Sequence, residues 1–328
     1  MKIITPSVEL MESNVPSFLR ARHVERCGRV CYKSEDKITN DSAEKFIAGI
    51  IQRGHEAVLE HARITLDLSK KADIQMMLFI TLRTMQGLGM KDYLTITSTG
   101  DHYIVSGNVR AWRNLSAFVD RPENPNLHPL REMLLRMVWA ENPVFFPEYM
   151  KPEYEDLPDM LLDVNPDDYP FDSNIRLYHS WYTLRFICDR GVTHEIVRHR
   201  PASYCQESQR YNNYSNGKFN SEITVIKPCF LTEGTETYTI WKDACQAAES
   251  AYMAMLEKGC TPQEARDVLP NSTKTEIVMT ATADEWIHFL ELRTSEAAHP
   301  QMREVAKVAQ KILAEQDEEL FGKVGDNG

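Results

Sequence analysis

From Arg198 to Tyr211 the chain reads Arg-His-Arg-Pro-Ala-Ser-Tyr-Cys-Gln-Glu-Ser-Gln-Arg-Tyr. Three guanidinium groups, an imidazole and two serine hydroxyls thus crowd into fourteen positions of a chain whose formal net charge is -11. Cations at that density repel one another unless an anion neutralises them. Guanidinium presents a planar fork of donors that matches phosphate and carboxylate oxygens, and serine hydroxyls add adjustable hydrogen bonds to the same atoms. The segment therefore reads as a phosphate-handling surface. In an extended chain alternate side chains share a face, so Arg198 and Arg200 would point one way and His199 the other. If the chain turns helical beyond Pro201, Gln206 and Arg210 become i, i+4 neighbours. The plainer alternative is a surface patch answered by Glu195 and Glu207, since exposed ion pairs are common and contribute little.

Other residues with chemical potential lie far away along the chain. His55-Glu56 and Glu60-His61 invite a zinc reading, but the two histidines are six apart rather than four, which is the wrong spacing for one helix face. Arg266 and Arg293 each sit in a stretch with helical character, and a cation near a helix C-terminus is favoured by the macrodipole, which gives Arg293 an ordinary structural explanation. Only a shared anionic ligand would make the two a pair. No GxGxxG, Walker loop or GxSxG elbow occurs, which disfavours a Rossmann cofactor site, a P-loop and an α/β-hydrolase. The seven cysteines lack CxxC spacing, so neither a disulfide framework nor a zinc ribbon is expected, and no metal site is assigned. The acidic balance argues against non-specific binding to nucleic acid while leaving room for a local basic cleft that focuses a small anion. No apolar run of about 18 residues and no signal-peptide core are present, so a cytoplasmic protein without membrane contact is expected.

The elements that must position these residues can be read from periodicity and caps. Lys2 to Ser13 reads as a strand-like lead, Val15 to Tyr32 has helical spacing, and Asp41 or Ser42 can cap a helix running to Arg53 and stopped by Gly54. Ala72 to Gly89 looks like a buried helix, and Tyr93 to Val105 like two strands around Gly100-Asp101. Asn108 can cap the helix holding Arg110, Trp112 and Arg113. Asp120 to Tyr169, rich in prolines and acids around an amphipathic helix at Leu130 to Ala140, reads as an inserted excursion. Asn174 to Cys188 reads as a strand that delivers the chain to the arginine segment. Thr237 to Lys258 is a helix ended by Gly259, and Thr261-Pro262-Gln263-Glu264 is a capping box that places Arg266 in a short helix. Thr282 and Glu285 repeat the capping-box spacing at the start of the helix whose last turn holds Arg293. Pro300 opens a final helix with Met302, Val305, Ala309 and Ile312 on one face. The elements give a mixed α and β chain.

The arginine segment resembles the signature of the flavin-dependent thymidylate synthases, R-H-R-x-x-S-x-N-E-x-S-x-R. Arg198, His199, Arg200, Ser203, Ser208 and Arg210 occupy six of its eight fixed positions, whereas Cys205 stands for asparagine and Gln206 for glutamate. Gly54-His55-Glu56 with Glu60-His61 resembles the family's early G-H-E-x-x-x-E-H element. Ala265 to Pro270, Leu290 to Arg293 and Ala298 to Gln301 resemble its C-terminal elements. The resemblance covers residues 15 to 61 and 183 to 315. It implies an α+β fold, a mixed sheet with packed helices, forming a single domain over 1–328 with an inserted segment at about 64–180, and a homotetramer with FAD at subunit contacts.

By position, the resemblance further implies that His55, Arg198, His199 and Arg200 contact FAD, with Glu60 and His288 beside them. His194, Glu195, Gln206, Ser208, Arg210, Arg266 and Arg293 would face dUMP, His194 and Glu195 standing where compact members carry an Arg-Gln pair. Thr282 and Asp284 occupy places where an asparagine and an arginine often serve the flavin. The implied reaction is reductive methylation of dUMP to dTMP, with NADPH as reductant and methylenetetrahydrofolate as one-carbon donor. Arg293 would polarise the uracil carbonyl, and Ser208 would position the nucleotide rather than attack it. Two alternatives stand beside this: a related flavin-dependent pyrimidine one-carbon transferase, which the Cys205 and Gln206 departures allow, and a catalytically silent nucleotide-binding protein.

Overall fold

A computed structural model describes residues 1–69, 94–100, 102–119, 142–146 and 161–324, with 135, 138, 139 and 151 as isolated positions. The described strands form three sheets. β2 (Ser7–Ser13), β7 (Trp181–Asp189), β10 (Lys274–Thr282) and β8 (Ser203–Gln206) pair antiparallel in that spatial order. A second antiparallel sheet runs β4 (Leu94–Thr99), β5 (His102–Asn108), β3 (Arg63–Ser69), β6 (Leu161–Asp163). β1 (Lys2–Ile4) and β9 (Thr224–Ile226) form a short parallel pair. The expected single lead strand is therefore two strands in different sheets. Pro6, which has no N–H to give a ladder, stands between them.

The first sheet is the frame of the site. Tyr182, Leu184, Phe186 and Cys188 of β7 register against Ala281, Met279, Ile277 and Thr275 of β10, and this face is covered by α5 (Arg190–Ile196), α8 (Ala283–Arg293) and α9 (Pro300–Gln316). Trp286 of α8 is fully buried there and donates Nε1–H to the Tyr182 carbonyl at 3.0 Å. Val278 and Cys205 point to the opposite face, into a second core built with α1 (Ser17–Val30), α2 (Ser42–Gln52) and α3 (Val109–Val119). With apolar layers on both faces, β7 is hydrophobic at six of its nine positions. Thr183 and Thr280 interrupt the second face in direct register, and their hydroxyls meet at 2.7 Å. Thr280 Oγ1 also lies 2.7 Å from His61 Nδ1, and Thr183 Oγ1 3.2 Å from His23 Nε2. Burial holds both histidines down to about 3, so this buried chain is uncharged at neutral pH.

Asn174 to Cys188 is not one strand. Asp172 accepts N–H bonds from Asn174 and Ile175 at 3.0 and 3.1 Å, which caps a helix α4 (Ser173–Tyr178), and the strand begins only at Trp181. β-rich composition was outweighed by a local cap. Asn108 caps α3 as expected, accepting from Ala111 N–H at 2.8 Å. Gly54 ends α2 with φ +69°, a conformation that favours glycine. The long helix forms as α6 (Glu236–Glu257), and Glu264 closes its capping box at the start of α7 (Pro262–Ala265) by accepting from the Thr261 N–H at 2.7 Å. α8 starts after Thr282 without the anticipated side-chain cap bond. In α9, Met302, Val305 and Ala309 are buried and Ile312 packs at the edge. A short α10 (Glu318–Phe321) follows. The expected helix at 72–89 lies outside the described residues, as does most of 120–160, although positions 135, 138 and 139 are helical. Among the described residues no helix is long and apolar enough to cross a membrane.

Candidate functional site

β7 ends at Asp189, whose carboxylate accepts the Val192 N–H at 2.9 Å and the Gln301 amide at 2.7 Å. One side chain therefore both caps α5 and ties it to α9. After α5 the chain does not extend: Arg198 and His199 N–H groups bond back to the Glu195 and Ile196 carbonyls at 3.3 and 3.2 Å, continuing the helical turn. The division of side chains is nonetheless the one expected, with Arg198 and Arg200 exposed and His199 buried. Beyond Pro201 the segment becomes strand β8 rather than helix, because β10 offers it a free edge, so Gln206 and Arg210 are not helical neighbours.

Arg293, at the end of α8, closes over this turn. Its Nη1 donates to Glu195 Oε2 at 2.7 Å, Nη2 to the Glu195 carbonyl at 3.3 Å, and Nε to His199 Nε2 at 2.9 Å. The His199 ring stands edge-on to Phe289, centroids 4.9 Å apart, and to His288 at 5.9 Å. Burial, then the Arg293 charge, then His288 bring His199 down to about 4, so it is neutral at pH 7 and accepts from Arg293 on Nε2. Of five guanidinium N–H donors, three are engaged among the described residues, which leaves two for a ligand. Glu195, His199, His288 and Arg293, distant in sequence, thus form one group.

A second group surrounds the end of β8. Gln206 Nε2 donates to Thr193 Oγ1 at 3.0 Å and lies 3.4 Å from Thr275 Oγ1. Glu207 is buried, held by Lys274 at 2.9 Å and by the Tyr214 hydroxyl at 3.3 Å, so it answers none of the arginines. The Ser208 N–H bonds the Cys31 carbonyl at 3.0 Å and its Oγ accepts from Arg210 N–H at 3.3 Å, with no histidine among its partners. Arg266 is half-buried in the turn after α7, and His194 is exposed on α5.

His55 and Arg210 share a third group through two residues that sequence reasoning passed over. The Tyr32 hydroxyl is 3.4 Å from His55 Nδ1, the Tyr32 and Tyr211 rings are 5.5 Å apart, and the Arg210 guanidinium lies over Tyr211 at 5.6 Å. Tyr211 is 60% exposed, so its ring offers an open aromatic face beside the Arg210 guanidinium. Adjacency of Tyr211 to Arg210 was the signal available. Glu60 belongs elsewhere: it accepts from Arg110 at 2.6 Å and borders a polar cavity of about 180 Å³, with Arg63, Asn108, Ser203, Thr282 and Asp284. Arg63 carried no motif and was missed.

The cysteines are free, and Cys205 is buried in the core where asparagine was the pattern. No group of three or more His, Cys, Asp or Glu with metal-binding placement occurs among the described residues.

A profile of the family described as "Thymidylate synthase complementing protein" matches residues 19–77 and 176–317. The flavin-dependent thymidylate synthase of Pyrococcus furiosus is 36% identical over 143 residues, covering 43% of this chain and 58% of that protein. That of Geobacter sulfurreducens is 37% identical over 117 residues, covering 36% and 49%. The chain spans about half the length of the curated relatives it matches. Among solved structures, thymidylate synthase X from Helicobacter pylori with FAD and dUMP aligns at 22% identity and TM-score 0.38, over 46% of this chain and 76% of that one. A UMP/dUMP methylase PolB from Streptomyces cacaoi bound with 5-Br dUMP aligns at 16% identity and TM-score 0.41, over 99% and 98%.

Proposed function

Because this chain belongs to the thymidylate synthase complementing protein family, we propose that it is a flavin-dependent thymidylate synthase, converting dUMP to dTMP with FAD, NADPH and methylenetetrahydrofolate. The observation that carries the proposal is the Arg293 group: a guanidinium held from two sides, by Glu195 and a neutral His199, with two N–H donors unspent. Such a preorganised donor pair stabilises negative charge that develops on a ring carbonyl, and costs no reorganisation when it does. In this reading Arg293 polarises the uracil ring, and Glu195 and His199 set its direction.

The residues present suit a flavin dinucleotide. Arg198 and Arg210 have no carboxylate partner among the described residues, and Arg200, over the Tyr204 ring at 5.0 Å, is exposed. These guanidinium groups supply cations, and the exposed Tyr211 ring near His55 supplies an aromatic face, for a flat, anionic group. When bound, FAD supplies the redox chemistry. The chain's own share is to hold three partly anionic molecules in register, which makes encounter a positioned reaction and suits a site with more arginines than acid-base groups. Gln206, Ser208, Arg210 and Arg266 are assigned to dUMP, His194 beside them, and His288 and Glu60 to the flavin side. The homotetramer, and an insertion at about 64–180 in a single domain, belong to the same proposal; the family match leaves 78–175 uncovered.

The test is a visible spectrum of the purified protein with and without dUMP, followed by product mass from labelled dUMP. A yellow protein that responds to dUMP and adds one methyl group supports the proposal. A colourless protein that ignores dUMP removes it, and a different added mass would assign another one-carbon transfer.

A further inference from the structure

β8 ends on a cluster of charges that the proposed reaction does not use. Gln206 bonds Thr193 and Thr275 on the face covered by α5, whereas Glu207 turns to the other face. There its Oε2 accepts from Lys274 Nζ at 2.9 Å and its Oε1 from the Tyr214 hydroxyl at 3.3 Å. Lys274 also donates to Glu276 Oε1, and Lys33, just beyond α1, reaches the same oxygen at 2.9 Å and Glu35 at 2.9 Å. Both central carboxylates are withdrawn from water, the Glu207 side chain being 1% exposed and that of Glu276 7%. Burial pushes the Glu276 carboxyl up, but Lys274 and Lys33 outweigh it and bring the group down to about 2, so it is ionised at neutral pH.

The backbone is tied at the same point. The Glu207 N–H bonds the Glu276 carbonyl at 2.8 Å, and the Ser208 N–H bonds the Cys31 carbonyl at 3.0 Å. Behind the strand end lies a cavity of about 270 Å³, walled largely by charged side chains, Lys33, Glu207, Lys218, Glu222 and Lys274 among them, so ionic bonds rather than close packing fix Glu207. The residues that follow are the turn assigned to the nucleotide: Ser208 Oγ accepts the Arg210 N–H at 3.3 Å, and the Ser208 carbonyl accepts the Asn212 N–H at 3.1 Å. That turn hangs from Glu207. A turn fixed before binding loses less conformational freedom when its ligand arrives, and affinity rises accordingly. We propose that Lys274 is a positioning residue for dUMP: bonded to Glu207, it fixes the end of β8 and with it the direction in which Ser208 and Arg210 meet the nucleotide. Lys274 acts through Glu207 and not on the substrate. The inference rests on the assignment of Ser208 and Arg210 to dUMP and deepens it. Glu207 stands at a variable position of the signature and Lys274 outside its elements, so the arrangement belongs to this chain's own sequence.

The experiment titrates the full-length, flavin-loaded protein with dUMP by calorimetry, well below its melting temperature, and measures KM and kcat for dUMP. Lys274→Met is expected to weaken dUMP at least tenfold, about 1.4 kcal/mol, and to raise KM with kcat nearly unchanged, the signature of lost uniform binding. FAD content should not change. Lys274→Arg, which returns a cation to Glu207, is expected to recover most of the affinity. Because Lys274→Met strands a buried carboxylate and lowers the melting temperature, Glu207→Leu is added to it; removal of both charges is expected to restore the melting temperature while dUMP affinity stays low. Affinity that returns together with the melting temperature would show that the pair serves stability alone and overturns the proposal. Unchanged dUMP affinity in folded Lys274→Met also overturns it, and so does a fall in kcat at constant KM, which would put Lys274 in the chemical step. If the wild-type protein binds no dUMP at all, it is the proposed function that fails.

Discussion

At the residue scale, the proposed chemistry rests on Arg293 and on Glu195 and His199, which hold its guanidinium. Arg293→Ala is expected to abolish dTMP formation while bound FAD remains visible in the absorption spectrum; loss of flavin instead would move the residue to the cofactor side. Glu195→Gln keeps the volume but weakens the charge-assisted bond at 2.7 Å. We expect kcat to fall by roughly 10- to 100-fold, less than the loss seen when an oxyanion donor itself is removed, with the flavin content unchanged. Steady-state kinetics check this. A raised KM at constant kcat would mean that Glu195 contacts the nucleotide directly. His55→Ala is expected to weaken flavin retention, read from the FAD content of the purified variant. Residue types and spacing made most of these candidates legible, because a guanidinium or imidazole advertises its chemistry wherever it sits. What spacing did not carry was partnership. Glu207, an acid inside the arginine segment, is spent on Lys274 and Tyr214, and Arg63 had no motif at all.

At the scale of elements, the short helix α5 is the part that places the signature turn, and Asp189 is its anchor. Asp189→Ala removes an N-cap and the bond to Gln301, a loss of about 1–2 kcal/mol for the cap. The expected outcome is a lower melting temperature with a further drop in activity, because Glu195, Arg198 and His199 all follow from that cap. An unchanged melting curve would show that α5 is held by packing alone. Helices with strong end signals were readable in advance: α7 and α9 begin at Pro262 and Pro300 and α6 ends just before Gly259, although α7 stops at Ala265, short of the expected Pro270. Elements decided by distant partners were not. β8 is a strand because it has β10 to pair with, and α4 is helical because Asp172 caps it within an otherwise strand-like composition.

At the scale of the whole molecule, neutral buried histidines join its layers. His23 and His61 connect α1 and the 3-10 turn at Glu56–His61 to the first sheet through Thr183 and Thr280. His179, between Ser106 Oγ at 2.8 Å and Thr97 Oγ1 at 2.7 Å, joins the end of α4 to the second sheet. All three are held down to about 3, chiefly by burial. Their unfolded counterparts titrate near 6.5, so between those values the unfolded chain binds more protons and acid favours it. The stability they contribute is full above pH 6.5 and is lost as pH falls toward 3. Urea midpoints at pH 7.5, 5.5 and 4.5 should decrease in that order; a flat series would show that these rings are protonated in the folded protein. Thr280→Val leaves His61 and Thr183 without a shared partner and is expected to cost about 1–3 kcal/mol, the usual penalty for a stranded buried polar group.

Sequence alone determined which residues could handle phosphate, which family pattern they follow, and where strongly capped helices run. Those properties reside in single side chains or in bonds between residues three or four apart, so they survive without knowledge of the rest of the chain. Only the tertiary structure decided that Arg293 is clasped by Glu195 and His199, that β8 is a strand, and that Arg63 and Asp284 share a cavity. Each of those depends on contacts across tens to hundreds of residues, and such contacts form only once two cores close on the opposite faces of one sheet.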